Sequence, residues 1–372
     1  MRLTRRDMWR VGVAGAIASA MPGRGSARPG PGRGAQTPPV QAPAGSLTDV
    51  PGIRVGHYTD PRRPTGCTVI LFDEPATAGA DYDGSAPGEM LGVMLQPVSP
   101  VDRIHGILLT GGGPMGLGAV AGVVDYLEAR GIGYNWGPPN VRVPIVVGAV
   151  IDDLSLGDGR IRPGPEAALK ACEAAAATPV AEGSVGAGAG ATVGKIFRSR
   201  GLGGMKGGIG TVSMRLGNVV IAALSVVNAA GDILDWRTGR IVAGARTADG
   251  AAFANSAAVL QRDLESGPAA ARIDDQPFRA TTLTIVATNV ALDKTSLTKL
   301  AMMVNTGAAR AINPYHTQGD GDQVIALSTN RLTRDVSLTA VGSTAAHAAA
   351  DAIRRGVEQA TGVPGWPAVR DI

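Results

Sequence analysis

The sequence predicts a layered domain of the α/β or α+β class, and three observations carry that prediction. From Leu47 onward, short β-rich runs alternate with glycine turns and alanine-rich segments of helical periodicity. The 372 residues are 44% hydrophobic and 18% charged, enough to bury a sizeable core. The 53 glycines fall in short clusters between apolar runs with no three-residue period, so they mark tight turns.

The elements follow in order. Strands are expected at residues 68–72, 107–109, 145–150, 219–227, 282–287 and 324–328, each a run of β-branched or aliphatic side chains bounded by turn residues. Helices are expected at 117–130, 165–177, 251–264, 294–311 and 345–359, where apolar residues recur at spacings of three and four. No internal repeat is visible. One stretch breaks the alternation. Residues 254–280 pass through Gly267-Pro268 and Asp274-Asp275-Gln276-Pro277 without strong periodicity, then meet the β-branched run Thr281-Thr282-Leu283-Thr284-Ile285-Val286. A loop that joins a buried strand is the geometry a processed nucleophile needs, because a cut at the junction leaves a hydroxyl on a rigid strand end.

Charge position excludes a nucleic-acid partner. The formal charge is +4, but residues 1–20 and 21–45 each carry +3, which leaves the body at about −2. Aromatics are only 3%, so stacking platforms are scarce as well. Residues 1–20 read as a signal peptide: a basic start, a weakly apolar stretch and a small-residue site near Ala18-Ser19-Ala20. Thr4-Arg5-Arg6-Asp7-Met8 resembles a twin-arginine export signal, so a periplasmic or extracellular destination is expected. Residues 21–45, rich in Pro, Gly and Arg, are then a disordered spacer before a single domain, 46–372. No later apolar run is long enough to span a bilayer. An oxidising compartment permits a disulfide between Cys67 and Cys172; their apolar and helical settings favour two buried thiols.

Several strings together carry a family resemblance. Ala280-Thr281-Thr282-Leu283-Thr284-Ile285-Val286 is followed by a helix and then by Pro314-Tyr315-His316-Thr317-Gln318-Gly319-Asp320-Gly321-Asp322. Upstream stand Gly52-Ile53-Arg54-Val55-Gly56-His57-Tyr58, Leu109-Thr110-Gly111-Gly112-Gly113, Gly186-Ala187-Gly188-Ala189-Gly190-Ala191-Thr192-Val193-Gly194-Lys195 and Arg215-Leu216-Gly217. In this order the chain resembles the L-aminopeptidase/D-esterase and β-aminopeptidase family, self-processing N-terminal-nucleophile hydrolases, and within it the nylon-oligomer hydrolases. The resemblance implies a four-layer α-β-β-α sandwich of the α+β class, cut by itself into residues 46–280 and 281–372, which stay associated. It further implies a homo-oligomer, a tetramer in family members, and a small amide or peptide substrate.

Carried over by motif, the resemblance places the nucleophile on Thr281, a site lysine on Lys195, an asparagine on Asn228 and two aspartates on Asp320 and Asp322. The residue types suit the chemistry. A threonine hydroxyl is a weak nucleophile alone, and a free amine on the same residue can serve as its base. Asn228 is the candidate donor to the oxyanion. Asp320 and Asp322, two apart, share a face if their segment is extended and would position Lys195 and the threonine. Taken singly, Asp320-Gly321-Asp322 reads as a hairpin turn, Lys195 as a solvated strand-end charge and Asn228 as a turn residue; their joint occurrence reverses that reading. Two positions depart from the nylon-oligomer type: Ala280 stands where asparagine precedes the nucleophile, and Met115 where the glycine-rich turn holds a tyrosine. Met115, Asp152 and Asp153 are assigned to the substrate pocket, the aspartates as attractors of an ammonium group. His57, His105, His316 and His347 lack metal-ligand spacing and read as packed or surface side chains, so no metal and no other cofactor is expected. The competing activities are acyl transfer of the ornithine acetyltransferase type and an exported binding protein that does not cut itself.

Overall fold

A 16-residue strand, β2, organises the molecule by belonging to two sheet layers at once. In this computed structural model, which describes residues 45–266 and 279–372, the strands in chain order are β1 (Ile53–Thr59), β2 (Gly66–Asp81), β3 (Glu89–Met90), β4 (Ile104–Thr110), β5 (Val146–Val150), β6 (Thr192–Val193), β7 (Met205–Lys206), β8 (Gly208–Leu216), β9 (Val219–Asn228), β10 (Asp232–Asp235), β11 (Arg240–Ala243), β12 (Thr281–Val290), β13 (Ile312–Asn313) and β14 (Gln323–Leu332). The helices are α1 (Val120–Glu128), α2 (Pro165–Glu173), α3 (Ser256–Ser266), α4 (Lys294–Ala311) and α5 (Leu338–Glu358). The signal-peptide and spacer assignments, and the loop residues 267–278, lie outside the described residues.

The first half of β2 pairs antiparallel with β1 and β4. Its exposed middle, Asp73 and Glu74 before Pro75, slips register against β4, and the second half pairs with β14. Proline offers no N–H to a ladder, so the bend falls where pairing lapses. The sheet order is β3-β5-β4-β2-β14-β12-β9-β8, with β1 also on β2. Two pairs are parallel, β4 with β5 and β12 with β14, and the second is bridged by α4.

Side-chain alternation then makes four layers. Ile70, Ile107, Leu109 and Val147 from the β1-β2-β4-β5 half pack against Leu224, Val226, Leu283, Ile285 and Ile325 from the β9-β12-β14 half. On the outer face of the first half, Val69, Leu71, Leu108 and Val146 meet α1 and α2. Outside the second, Ile221, Val286 and Val324 meet Leu300 and Val304 of α4 and Ala345 and Ala349 of α5. The arrangement is helix, sheet, sheet, helix. Small residues let α4 and α5 approach: a Cβ on Gly307 would stand 2.0 Å from the Ala346 carbonyl oxygen.

Sequence and structure differ at several element ends. The helix expected from 345 begins at Leu338, because Ser337 caps it by accepting from the Ala340 N–H and Val341 packs in the core. The helix expected from 251 begins at Ser256, whose N–H and hydroxyl both donate to buried Asp232, while Arg246 and Phe253 form an isolated bridge. Residues 113–119 form a 3-10 turn ahead of α1. Cys67 and Cys172 are free, buried thiols in the core beneath α1 and α2, each pushed up to about 12 chiefly by burial.

Candidate active site

The site forms at one end of the central strand β12. Thr281 is its first residue and faces Asn228, the last residue of β9, across the antiparallel ladder. Its hydroxyl donates to the carbonyl oxygen of Ala280 at 2.5 Å. The same oxygen accepts the Gly321 N–H at 2.9 Å, because residues 280 and 320 form a parallel bridge that continues the β12–β14 pairing. Gly321 is needed here: a Cβ would stand 2.4 Å from the Ala86 carbonyl and 2.9 Å from the Thr281 hydroxyl.

Asp320 and Asp322 flank that glycine in an extended segment held on its other side by the Gly84 and Ala86 N–H groups, which donate to their backbone carbonyls. Asp322 Oδ1 accepts the Thr282 N–H at 2.5 Å, and its Oδ2 accepts the His316 N–H at 3.3 Å and lies 3.4 Å from His316 Nδ1. Asp320 Oδ2 accepts the Thr317 N–H at 2.8 Å, and its buried Oδ1 has no hydrogen-bond partner among the described residues. Burial, reinforced by the negative charge of Asp322, pushes the Asp320 carboxyl up to about 7.

Lys195 enters from the turn after β6. Its ammonium donates to Asn228 Oδ1 at 2.6 Å and to the Thr192 hydroxyl at 3.2 Å. Burial lowers it to about 8, against the opposing pull of Asp152, Asp320 and Asp153. Asn228 Oδ1 also accepts the Thr192 N–H at 3.0 Å, so its oxygen is fully engaged. Its amide nitrogen keeps only a 3.4 Å contact to the Asp152 carbonyl.

A cavity of about 80 Å³ opens beside these groups, lined by Asp152, Ser155, Lys195, Arg198, Ala280 and Trp366 among others. The Arg198 guanidinium lies 4.1 Å from the centre of the Trp366 ring.

Of the residues expected from sequence, Thr281, Ala280, Lys195, Asn228, Asp320 and Asp322 converge here, and Asp152 faces the cavity. Asp153 takes another part: its fully buried carboxylate accepts from Arg63 at 2.7 Å, Thr65 at 2.6 Å and the Gly112 N–H at 2.9 Å. With both oxygens occupied it anchors the glycine-rich turn, and Asp152 is the member of the pair that lines the cavity. Met115 is 53% exposed and does not line the cavity that holds Lys195.

The profile of peptidase family S58 matches residues 45–369. The chain belongs to peptidase family S58. An uncharacterized aminopeptidase of Mycobacterium tuberculosis is 38% identical over 352 residues, covering 88% of this chain and 97% of that protein. A 6-aminohexanoate-oligomer endohydrolase of Paenarthrobacter ureafaciens is 32% identical over 287 residues, covering 76% of this chain and 75% of the relative. Among solved structures, a Burkholderia sp. beta-aminopeptidase superposes with a TM-score of 0.62 at 21% identity, over 86% of this chain and 88% of the other. The l-aminopeptidase d-ala-esterase/amidase of Ochrobactrum anthropi, described as a variant among the ntn hydrolase fold, gives 0.60 at 20% identity, over 86% and 87%. This S58 chain is thus a hydrolase of amide bonds on an ntn hydrolase fold.

Sequence reasoning missed three groups around the S58 site. Lys206 is fully buried, with its ammonium donating to the Gly188, Ala191 and Gly207 carbonyls at 2.8 to 3.1 Å, and burial lowers it to about 7. It ties down the turn that ends at Thr192. The available signal was a lysine enclosed by Met205 and two glycines in an otherwise uncharged run. His316, read as merely packed, touches Asp322. Gly321 stood in the sequence only as the small residue between two aspartates; the contact its N–H makes with the Ala280 carbonyl depends on the fold.

Proposed function

We propose that this amide hydrolase cuts its own backbone between Ala280 and Thr281 and then uses the freed Thr281 as nucleophile on short peptides, amino-acid amides or ω-amino-acid oligomers. The observation that carries the reading is the junction itself: a hydroxyl 2.5 Å from the carbonyl oxygen of the preceding residue, with the Gly321 N–H donating to that same oxygen.

Thr281 Oγ attacks the Ala280 carbonyl carbon while the Gly321 N–H holds the oxygen as it gains charge. The C–N bond breaks, the hydroxyl proton passes to the Thr281 nitrogen, and an ester remains on Oγ. Water hydrolyses the ester, leaving a carboxylate on Ala280 and a free α-amine on Thr281. Asp320, with its carboxyl near 7, suits proton exchange at neutral pH.

In turnover the Thr281 amine accepts the hydroxyl proton and Oγ attacks the substrate carbonyl. The amine product leaves with that proton, and water releases the acyl group. Lys195 holds Asn228 by its oxygen, turning the amide nitrogen outward as a donor to the tetrahedral intermediate. Asp152 draws a substrate ammonium to the cavity rim. Both relative types support the substrate range: an aminopeptidase and an oligomer endohydrolase.

Intact-mass measurement and amino-terminal sequencing test the cut. Two fragments are expected, one ending at Ala280 and one comprising residues 281–372; active protein that remains a single uncut chain overturns the proposal. Thr281→Ala abolishes both processing and hydrolysis. Thr281→Ser retains part of each, since serine keeps the oxygen but lacks the methyl group that restricts χ1.

A further inference from the structure

Ala280 is 3% exposed and sits in an apolar cluster formed by Ile196, Phe197, Ala230 and Val259, with Leu202 and Leu260 packed around it. Ile196 and Phe197 follow Lys195, Ala230 follows Asn228, and Val259 comes from α3. Every wall of this seat therefore belongs to the chain ahead of residue 280 and stays in place when the 280–281 bond is cut. On its polar side the seat adjoins the cavity of about 80 Å³, which Ala280 itself lines. That space is far below the roughly 300 Å³ at which ligand pockets begin, and residue 280 forms part of its wall.

The two acyl transfers described above place an ester on the same oxygen. In self-cleavage the acyl group is residue 280; in turnover it is the acyl part of the substrate. We infer that the apolar seat now holding Ala280 is the acyl-side subsite of the cleaved enzyme, and that it selects amides whose carbonyl is flanked by a small aliphatic group. This deepens the proposed function and rests on its reading of Thr281. The walls named above are aliphatic and aromatic, so a charged acyl side chain lodged among them would lose water and gain no partner from Ile196, Phe197, Ala230 or Val259. Phe197 and Val259, both buried, limit its length.

The test combines a substrate panel with the chain's own junction. Purified full-length protein is given amides of glycine, alanine, leucine, phenylalanine and aspartate that share one chromogenic amine. Alanine is expected to exceed phenylalanine and aspartate in kcat/KM by at least about tenfold, the discrimination an apolar pocket gives for one or more misfitting groups. Val259→Ala deepens the seat and should raise the leucine-to-alanine ratio by about tenfold. Equal rates across the panel, or a ratio that Val259→Ala leaves unmoved, overturns the subsite. The junction series Ala280→Gly, Ala280→Phe and Ala280→Asp reads the same seat without added substrate: self-cleavage should persist with glycine and slow at least about tenfold with phenylalanine and aspartate. A chain that cuts itself with this preference yet hydrolyses no amide upholds the seat and defeats the proposed hydrolysis. One that hydrolyses amides with no preference at either position does the reverse.

Discussion

At the scale of single residues, the site holds two buried groups, Lys195 and Asp320, away from their ordinary proton affinities. Lys195 joins Asn228 and Thr192 while burial lowers its ammonium to about 8. Lys195→Ala is expected to keep the fold and lose turnover by at least about a hundredfold, the scale of a misplaced catalytic proton or donor. Steady-state kinetics beside circular dichroism checks this, and wild-type turnover would remove Lys195 from the mechanism. Asp320 moves the other way, from 3.8 up to about 7, because burial and Asp322 disfavour its charge. A carboxyl with a raised folded pKa binds its proton more tightly in the native state. The stability it contributes is complete below about 4 and is lost as pH rises through 7. Asp320→Asn should therefore flatten the decline in melting temperature of an uncut Thr281→Ala background between pH 4 and 7. An unchanged slope would show that Asp320 does not bind that proton.

At the scale of elements, what could be read in advance was what periodicity encodes. Residues 294–311 were delimited at both ends because Asp293 caps the helix, accepting the Ser296 N–H at 2.7 Å, and its apolar positions recur regularly. The central strand was legible from its β-branched run, and its first residue proved to be the one at the site. By contrast β1 and β8 escaped notice, since glycine and polar residues interrupt their alternation; only their partners β2 and β9 complete them. Asp153 looked like a pocket residue because nothing near it in sequence reveals Arg63, ninety positions away, as its partner. The contact of the Gly321 N–H with the Ala280 carbonyl was invisible for the same reason: it depends on β12 and β14 lying parallel, with 280 beside 320. Gly321→Ala tests that contact. Its methyl group would force the 320–322 segment away from Ala86 and Thr281, so self-cleavage in a mass-resolved time course should slow at least about tenfold. An unaltered rate would deny the glycine N–H its part in holding the carbonyl.

At the scale of the whole molecule, the two layers share β2, and β12, which begins at Thr281, lies deep inside the second. The strands that follow the proposed cut, β12 and β14, are neighbours, and each borders a strand that precedes it: β12 lies against β9, and β14 against β2. Their helices α4 and α5 cover the same layer. The small fragment that the proposed cut would release is therefore an interior piece of the sheet, hydrogen-bonded along both sides to the remainder. Cutting one peptide bond at residue 280 removes none of those ladders.

That interior position would make the proposed cut a one-way door for renaturation. While the chain is continuous, β12 finds its slot by an intramolecular search, and recovery from denaturant is independent of concentration. After the cut the same slot must be filled by a separate molecule, and the local concentration that the covalent link supplied is gone. Recovery of cleaved enzyme should then rise with protein concentration, and that of the Thr281→Ala chain should not. Concentration-independent recovery by both would mean that the two pieces never part. The protein would spend its ability to be remade in order to become active, and each cleaved copy would last only as long as its first folding survives.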